Sequence, residues 1–249
     1  MRVAAILLAA GQGSRYSAQT ATPVAKQYVT LGGRPVIRHA ADALAPHVGI
    51  IQPVGDPDLL APALDGFTPP GCTVLPVVPG GETRQASVRA GLDALDRLPE
   101  GSRPELVLIH DGARPYVPGS VTQGVIEALG QHPGVIPAVP VADTIKRAKD
   151  GIITDTVPRT DLFRAQTPQG FRFALLRDLH RAAAAADATD DAALLEQAGH
   201  HVAIVPGSED NIKLTYKEDL VRLERLIGPT LLPRTGTGYD VHAFAENRP

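Results

Sequence analysis

A chain of 249 residues, 43% hydrophobic and 20% charged, has the apolar content to bury one large core, which excludes extended disorder. Its formal charge of −3, without any long run of Lys or Arg, excludes an electrostatic footprint for nucleic acid, and no stretch approaches the ~18 apolar residues of a membrane span. The single cysteine, Cys72, excludes an internal disulfide and fits a reducing, cytoplasmic setting.

The first ten residues carry one basic side chain and an apolar run, as a signal peptide does. That run empties into Gly11-Gln12-Gly13-Ser14-Arg15 rather than a cleavage site, so Val3–Leu8 is expected as a buried first strand. A helix follows at Val36–Leu44, then strands at 48–53 and 73–78. Ser87 is the expected N-cap of a helix over 88–98, whose Val88, Leu92, Leu95 and Leu98 share a face. A strand at 106–110, a helix at 121–131 and a strand at 135–139 come next. Helices at 174–186 and 190–198, a strand at 202–205 and a helix at Lys217–Ile227 complete the order. Strands that are almost continuously apolar and alternate with helices predict an α/β protein. Its mostly parallel, twisted sheet carries helices on both faces, and ligands bind beyond the carboxyl ends of the strands.

Residues 141–164 break the alternation. Thr144, Ile145, Ile152, Ile153, Thr156 and Val157 are β-type residues around an Asp150-Gly151 turn signal, which predicts a protruding β-hairpin arm. Two strands alone are marginal, so the arm is expected to pack on a second copy. Beyond residue 227, Gly228-Pro229 closes the last helix and 231–234 reads as linker.

Five groups carry candidate chemistry. The turn Ala9-Ala10-Gly11-Gln12-Gly13-Ser14-Arg15 lets backbone N–H groups approach phosphate oxygens, with Arg15 as a counter-charge. It lacks the third glycine of a dinucleotide fingerprint and the Gly-Lys-Ser/Thr of a P-loop. Lys26 is a cation nearby or a solvated surface lysine. Gly80, Gly81 and Ser87 suit a second backbone cradle for a base or ribose, and equally a glycine turn with a capping serine. Asp111, after a strand, suits a divalent cation held against phosphates or the cap of the next turn. Arg159, Thr167 and Lys213 are cations and a hydroxyl suited to clamp an acceptor phosphate, each ambiguous alone.

Taken in order, seven segments resemble the 2-C-methyl-D-erythritol 4-phosphate cytidylyltransferase family. They are 9–15, Lys26-Gln27-Tyr28, 80–88, His110-Asp111-x-Ala113-Arg114-Pro115, Asp143-Thr144-x-Lys146, Thr167-Pro168-Gln169 and Asp210-Asn211-Ile212-Lys213. The resemblance implies a Rossmann-like nucleotidyltransferase fold over 1–227 and transfer of CMP from CTP to 2-C-methyl-D-erythritol 4-phosphate. It implies Arg15, Lys26, Arg159 and Lys213 as catalytic, and Ala9, Ala10, Gly11, Gly13, Gly81, Ser87 and Asp111 around the nucleotide. Asp111 would hold Mg²⁺, while Arg114, Thr144, Arg159, Thr167 and Lys213 would surround the acceptor. Ala25 stands where the family has proline, Leu8 likewise, and the 16–25 loop is longer.

The segment 236–249, after a linker at 228–235, resembles the start of 2-C-methyl-D-erythritol 2,4-cyclodiphosphate synthase. There Asp240 and His242 match a zinc-binding Asp-x-His pair, two ligands short of a tetrahedral Zn²⁺ site. A truncated bifunctional enzyme is therefore expected. Two other readings stay open: a cytidylyltransferase for another polyol phosphate such as ribitol 5-phosphate, and a silent nucleotide-binding module. The module would have no reason to keep both Arg15 and Lys26.

Overall fold

A computed structural model of the chain describes residues 1–11, 16, 25–183 and 190–227. Its strands are β1 (Val3–Leu8), β2 (Thr30–Leu31), β3 (Arg34–Pro35), β4 (Ile50–Gly55), β5 (Thr73–Val74), β6 (Val78–Pro79) and β7 (Leu106–Asp111). They continue as β8 (Gly134–Pro140), β9 (Ile145–Lys149), β10 (Ile152–Val157), β11 (Phe163–Ala165), β12 (Gln169–Arg172) and β13 (Val202–Pro206). The described α-helices are α1 (Val36–Leu44), α2 (Pro57–Ala63), α3 (Arg84–Asp96), α4 (Gly119–Ala128), α5 (Phe173–Ala182), α6 (Asp191–Gln197) and α7 (Lys217–Ile227).

The main sheet runs β11-β8-β12-β7-β1-β4-β5, with β13 on β8 and β6 on β4. The pairs β1/β4, β1/β7, β4/β5, β4/β6 and β8/β13 are parallel, and only the pairs made by β11 and β12 are antiparallel. This is the expected α/β architecture. Alternating side chains explain the continuous apolar runs. Ala5, Leu7, Leu106 and Leu108 face a core shared with α1 and α4, while Ala4, Ile6, Val107 and Ile109 face α3, α5 and α6. Both faces are buried, so neither can be polar.

Several boundaries differ from expectation. The strand expected at 48–53 is displaced to Ile50–Gly55. The strand expected at 73–78 is split in two. Pro76 offers no ladder donor, and the buried Gln52 amide donates to the Pro76 carbonyl at 2.9 Å, filling the break. The helix expected over 88–98 begins one turn earlier, with Thr83 as its N-cap accepting from the Ala86 N–H at 3.0 Å. Ser87 is therefore not the cap. Helix α4 likewise starts at Gly119 rather than 121 and ends at Ala128.

Elements beyond expectation are the short pair β2–β3, helix α2, strand β12 and strand β11, which takes the end of the expected 141–164 arm back into the main sheet against β8. Helix α2 is short and contains Pro62, with Asp56 capping it onto Asp58 N–H. Strand β12 threads between β7 and β8. A Cβ on Gly170 would meet Val125 Cγ1 at 2.5 Å, so glycine there lets α4 lie against the sheet.

The hairpin arm is present. Strands β9 and β10 pair only with each other, and Asp150 (φ 52) and Gly151 (φ 78) form the left-handed turn expected of Asp-Gly. Ile152 is 72% exposed and Ile153 61%. No described helix is long and apolar enough to cross a membrane. The expected linker at 228–235 and second-domain start at 236–249 lie outside the described residues.

Candidate functional site

A cavity of about 490 Å³ opens at the carboxyl ends of β1 and β7. Its walls are the turn after β1, the N-terminal turn of α3, the segment after β7, Lys26, and Lys213 with Thr215. The position is the one a doubly wound sheet reserves for ligands.

The turn after β1 is held from behind. Ala9 N–H donates to Val54 O at 2.7 Å, and the side chain of Gln27 donates to Ala9 O at 2.6 Å and Gly11 O at 3.1 Å. Gln27 is only 4% exposed, so these carbonyls have a protein donor in place of water. Gln27 belongs to the single 3₁₀ turn Lys26–Tyr28, which brings Lys26 to the cavity wall. The two carbonyls are thus fixed by a side chain that itself stands on the cavity wall. Gln27→Leu would strand both carbonyls and is expected to destabilise the fold by about 1–3 kcal/mol. Chemical denaturation checks this, and an unchanged midpoint would contradict the role.

The opposite wall is Gly80-Gly81 and the start of α3. A Cβ on Gly80 would lie 2.3 Å from Ala10 Cβ, so this glycine permits the two turns to touch. Ser87, 1% exposed, accepts from Gly81 N–H at 3.0 Å and donates to Thr83 O at 2.9 Å. Its hydroxyl shapes the wall from inside the first helical turn.

Asp111 ends β7 and stands between two of the cations on the cavity wall. Lys213 Nζ donates to its Oδ2 at 2.6 Å, and Arg84 Nε lies 3.8 Å from its Oδ1. Burial alone would raise the Asp111 pKa, but Lys213 and Arg84 overcome it and hold the carboxyl well below the usual range. The carboxylate is thus ionised at neutral pH. Among the described residues no three His, Cys, Asp or Glu side chains cluster as a metal cage. The ionised Asp111 carboxylate, on a phosphate-sized cavity whose wall also includes Glu82, nevertheless fits Mg²⁺, which takes one or two carboxylates and completes its shell with phosphate oxygens and water.

Beneath Asp111 lies a buried network. Thr167 Oγ1 accepts from Asp111 N–H at 3.1 Å and lies 3.1 Å from His110 Nδ1. His110 Nε2 faces the Arg114 carbonyl at 3.1 Å, which assigns the proton to Nε2 and makes Nδ1 the acceptor of the Thr167 hydroxyl. Burial pushes the His110 pKa down to about 4, against the raising effect of that carbonyl, so the ring is neutral at pH 7. The Asn211 side-chain amide donates to Thr167 O at 2.9 Å, and the Asn211 backbone carbonyl accepts from Arg114 Nη1 at 2.5 Å. Leu214 N–H donates to Ala113 O at 2.8 Å, which anchors the segment carrying Lys213.

The structure therefore brings together Ala9, Ala10, Gly11, Lys26, Gly81, Ser87, Asp111 and Lys213 on one cavity. Arg114 and Thr167 do not line it; Arg114 Nη1 and the Thr167 hydroxyl are engaged as described, while the buried Arg114 Nε has no partner among the described residues. Thr144 and Arg159 are not on it. They are exposed residues of the 141–164 arm, where the Arg159 guanidinium donates to the Ala142 carbonyl. Gly13, Arg15, Asp240 and His242 lie outside the described residues. Arg84 and Gln27 stand in the quoted motifs, yet their roles emerge only from their contacts in the fold. Asp191, the buried partner of Arg84, stands in no motif. A polar residue flanked by the apolar pattern of α6 was the available signal.

Comparison with known proteins gives a consistent picture. Residues 3–228 match the family described as IspD: 2-C-methyl-D-erythritol 4-phosphate cytidylyltransferase. The chain is 62% identical over 250 residues to the bifunctional enzyme IspD/IspF of Gluconobacter oxydans, covering 100% of this chain and 62% of that protein. It is 55% identical over 248 residues to the enzyme of that name from Granulibacter bethesdensis, with the same coverage. It thus spans about three fifths of the length of these relatives. Among solved structures, 2-C-methyl-D-erythritol 4-phosphate cytidylyltransferase from Thermus thermophilus superposes with a TM-score of 0.72 at 32% identity, covering 91% of this chain and 98% of that one. The bifunctional IspDF of Campylobacter jejuni superposes at 0.70 and 27% identity, covering 89% of this chain and 54% of that one.

Proposed function

The chain belongs to the 2-C-methyl-D-erythritol 4-phosphate cytidylyltransferase family, and from that premise we propose that it transfers CMP from CTP to 2-C-methyl-D-erythritol 4-phosphate with release of diphosphate. The observation that carries this reading is the convergence of Asp111, Lys213 and Lys26 with the backbone turn at Ala9–Gly11 on one cavity.

In the reaction, a phosphate oxygen of the acceptor attacks the α-phosphorus of CTP, and the bond from that phosphorus to the bridging oxygen of the diphosphate breaks. The attacking oxygen is already ionised, so no general base is required. The catalytic task is alignment and neutralisation of charge as it builds on the α-phosphate. Lys26 and Arg15 serve that charge, and Lys213 orients the acceptor phosphate. The backbone at Ala9, Ala10, Gly11, Gly13 and Gly81, with Ser87 behind it, cradles the nucleotide. Asp111 holds a divalent cation, Mg²⁺ in this reading, which when bound neutralises the triphosphate oxygens.

Arg114, Thr144, Arg159 and Thr167 complete the acceptor side. Because Thr144 and Arg159 stand on the arm and away from their own chain's cavity, this reading takes the enzyme as a cytoplasmic homodimer. The 141–164 arm of one copy packs on the other. The exposed Ile152, Ile153 and Phe163 support that packing. We extend the proposal to a longer parent protein. Residues 1–227 form the transferase unit, 228–235 a linker, and 236–249 the start of a zinc-dependent cyclodiphosphate synthase that includes Asp240 and His242. The names and lengths of the relatives support this extension.

The test is diphosphate release. It is expected only when CTP, the methylerythritol phosphate and a divalent cation are all present. No release at saturating concentrations of all three would overturn the proposal, and faster release with ribitol 5-phosphate would reassign the acceptor.

A further inference from the structure

Arg84 stands between two aspartates. It is the first residue of α3, and its guanidinium, 30% exposed, lines the cavity. Its Nη1 donates to Asp191 Oδ2 at 2.6 Å, a full charge-assisted hydrogen bond. Its Nε lies 3.8 Å from Asp111 Oδ1, an ion pair beyond hydrogen-bond length. The two carboxylates compete for one guanidinium, and Asp191 has won it.

Asp191 is built for that purpose. It opens α6, 107 residues along the chain from Arg84, and its side chain is 1% exposed. Its second oxygen, Oδ1, faces His180 Nε2 at 3.0 Å. The neighbouring Asp190 does different work, capping α6 through Ala193 N–H at 3.0 Å and accepting from Gln169 at 2.8 Å. A carboxylate this deeply buried is costly unless paired, and both its oxygens are paired. Of its two partners, His180 is buried in α5, and Arg84 is the one that reaches the cavity wall.

We infer that Asp191 is a positioning residue that holds Arg84 off Asp111, so that Asp111 Oδ1 stays open to the divalent cation. The inference rests on the reading of Asp111 as the metal-holding carboxylate. With Lys213 already on Oδ2, a guanidinium moved fully onto Oδ1 would occupy both oxygens of the Asp111 carboxylate. A cation bound there would then have to displace a charge-assisted hydrogen bond. Held by Asp191, Arg84 keeps its remaining donors for the anionic occupant of the cavity.

The test measures Mn²⁺ binding to the full chain with saturating CTP, by the relaxation of water protons, without turnover. Asp191→Asn is expected to weaken Mn²⁺ about tenfold. Arg84→Gln in the same chain is expected to restore the affinity to that of Arg84→Gln alone, since no guanidinium remains to move. A merely structural role for Asp191 would not be rescued by removing Arg84. A folded Asp191→Asn with wild-type Mn²⁺ affinity overturns the inference. So does a double variant that stays tenfold weaker than Arg84→Gln alone, a comparison that holds even where Asp191→Asn by itself does not fold. Asp111→Asn, measured alongside, separates the two levels. Unchanged affinity there overturns the metal reading and this inference together, whereas weakened affinity there with wild-type affinity in Asp191→Asn overturns this inference alone.

Discussion

Asp111→Asn is expected to lower turnover by about 10²–10³-fold at saturating CTP and acceptor, the usual scale for removing one preorganised charge from a reacting centre. Asparagine keeps the size of the side chain and one oxygen, so the change is mainly electrostatic. The carboxylate it replaces is ionised at every working pH, because Lys213 and Arg84 outweigh the effect of its burial. Removing the charge leaves Lys213 facing Arg84 across the floor of the cavity, with no anion between them until the nucleotide arrives. The nucleotide itself is therefore expected to bind no more weakly in the absence of metal, and the defect to lie in the chemical step and in metal dependence.

Stability separates this result from simple unfolding. Lys213 is 40% exposed, so its pair with Asp111 is screened and contributes only about 1 kcal/mol. Arg84 keeps Asp191. The melting temperature is then expected to fall by roughly 2–4 °C, the change that 1 kcal/mol produces in a domain of this size. Diphosphate release and a thermal melt on the same preparation check both parts. A kcat within tenfold of wild type at saturating Mg²⁺ would remove Asp111 from the mechanism.

The fold was legible where both faces of an element are buried. Strands β1 and β7 are apolar on every residue of their centres because helices cover the sheet on either side, and a continuous apolar run is hard to misread. Helix α1 was legible for the complementary reason, since Val36, Ile37, Ala40, Ala41 and Leu44 repeat at helical spacing and are all buried. Strand β12 was not. It is four residues long, includes a glycine, and is a strand only because β7 and β8 leave a gap that it fills. The requirement at Gly170 is an empty space for Val125 and Leu129, which no pattern within the segment expresses.

The site shows the same division. Gly11, Lys26, Asp111 and Lys213 stood out as residue types suited to phosphate and metal, and the fold brings them to one cavity. Ser87 misled because a serine before an apolar residue looks like a cap. The first turn of α3 is polar, so the helix begins at Arg84 and the serine turns inward to Gly81. Arg84 and Asp191 were illegible as a pair. Their meaning lies in a contact across 107 residues, in the choice of one guanidinium between two acids, and in a burial that only the packed helices α5 and α6 create.

His110 gives the second large effect, in stability against pH. Its folded pKa, about 4, lies below the ~6.5 of an unfolded histidine. Above about pH 6.5 the ring is neutral in both states and the full stability is present. As pH falls from 6.5 toward 4, the unfolded chain binds a proton that the folded chain refuses, so stability drops. The loss reaches about 3 kcal/mol, of which about 2 kcal/mol falls between pH 7 and pH 5. His47, also lowered by burial, acts with the same sign, while the depressed carboxyls of Asp111 and Asp191 lose their contribution only at lower pH. Protonation would also turn Nδ1 from an acceptor into a donor facing the Thr167 hydroxyl, whose oxygen takes the Asp111 N–H. The floor of the site is therefore coupled to the same proton. His110→Phe keeps a ring in the core but cannot bind the proton. It is expected to be less stable than wild type at pH 7, because the Arg114 carbonyl and Thr167 hydroxyl lose a partner, yet to lose little further stability between pH 7 and pH 5. Urea unfolding at the two pH values measures both slopes. If the variant and the wild type lose the same amount, the acid sensitivity belongs to other groups and His110 is not the residue that sets it.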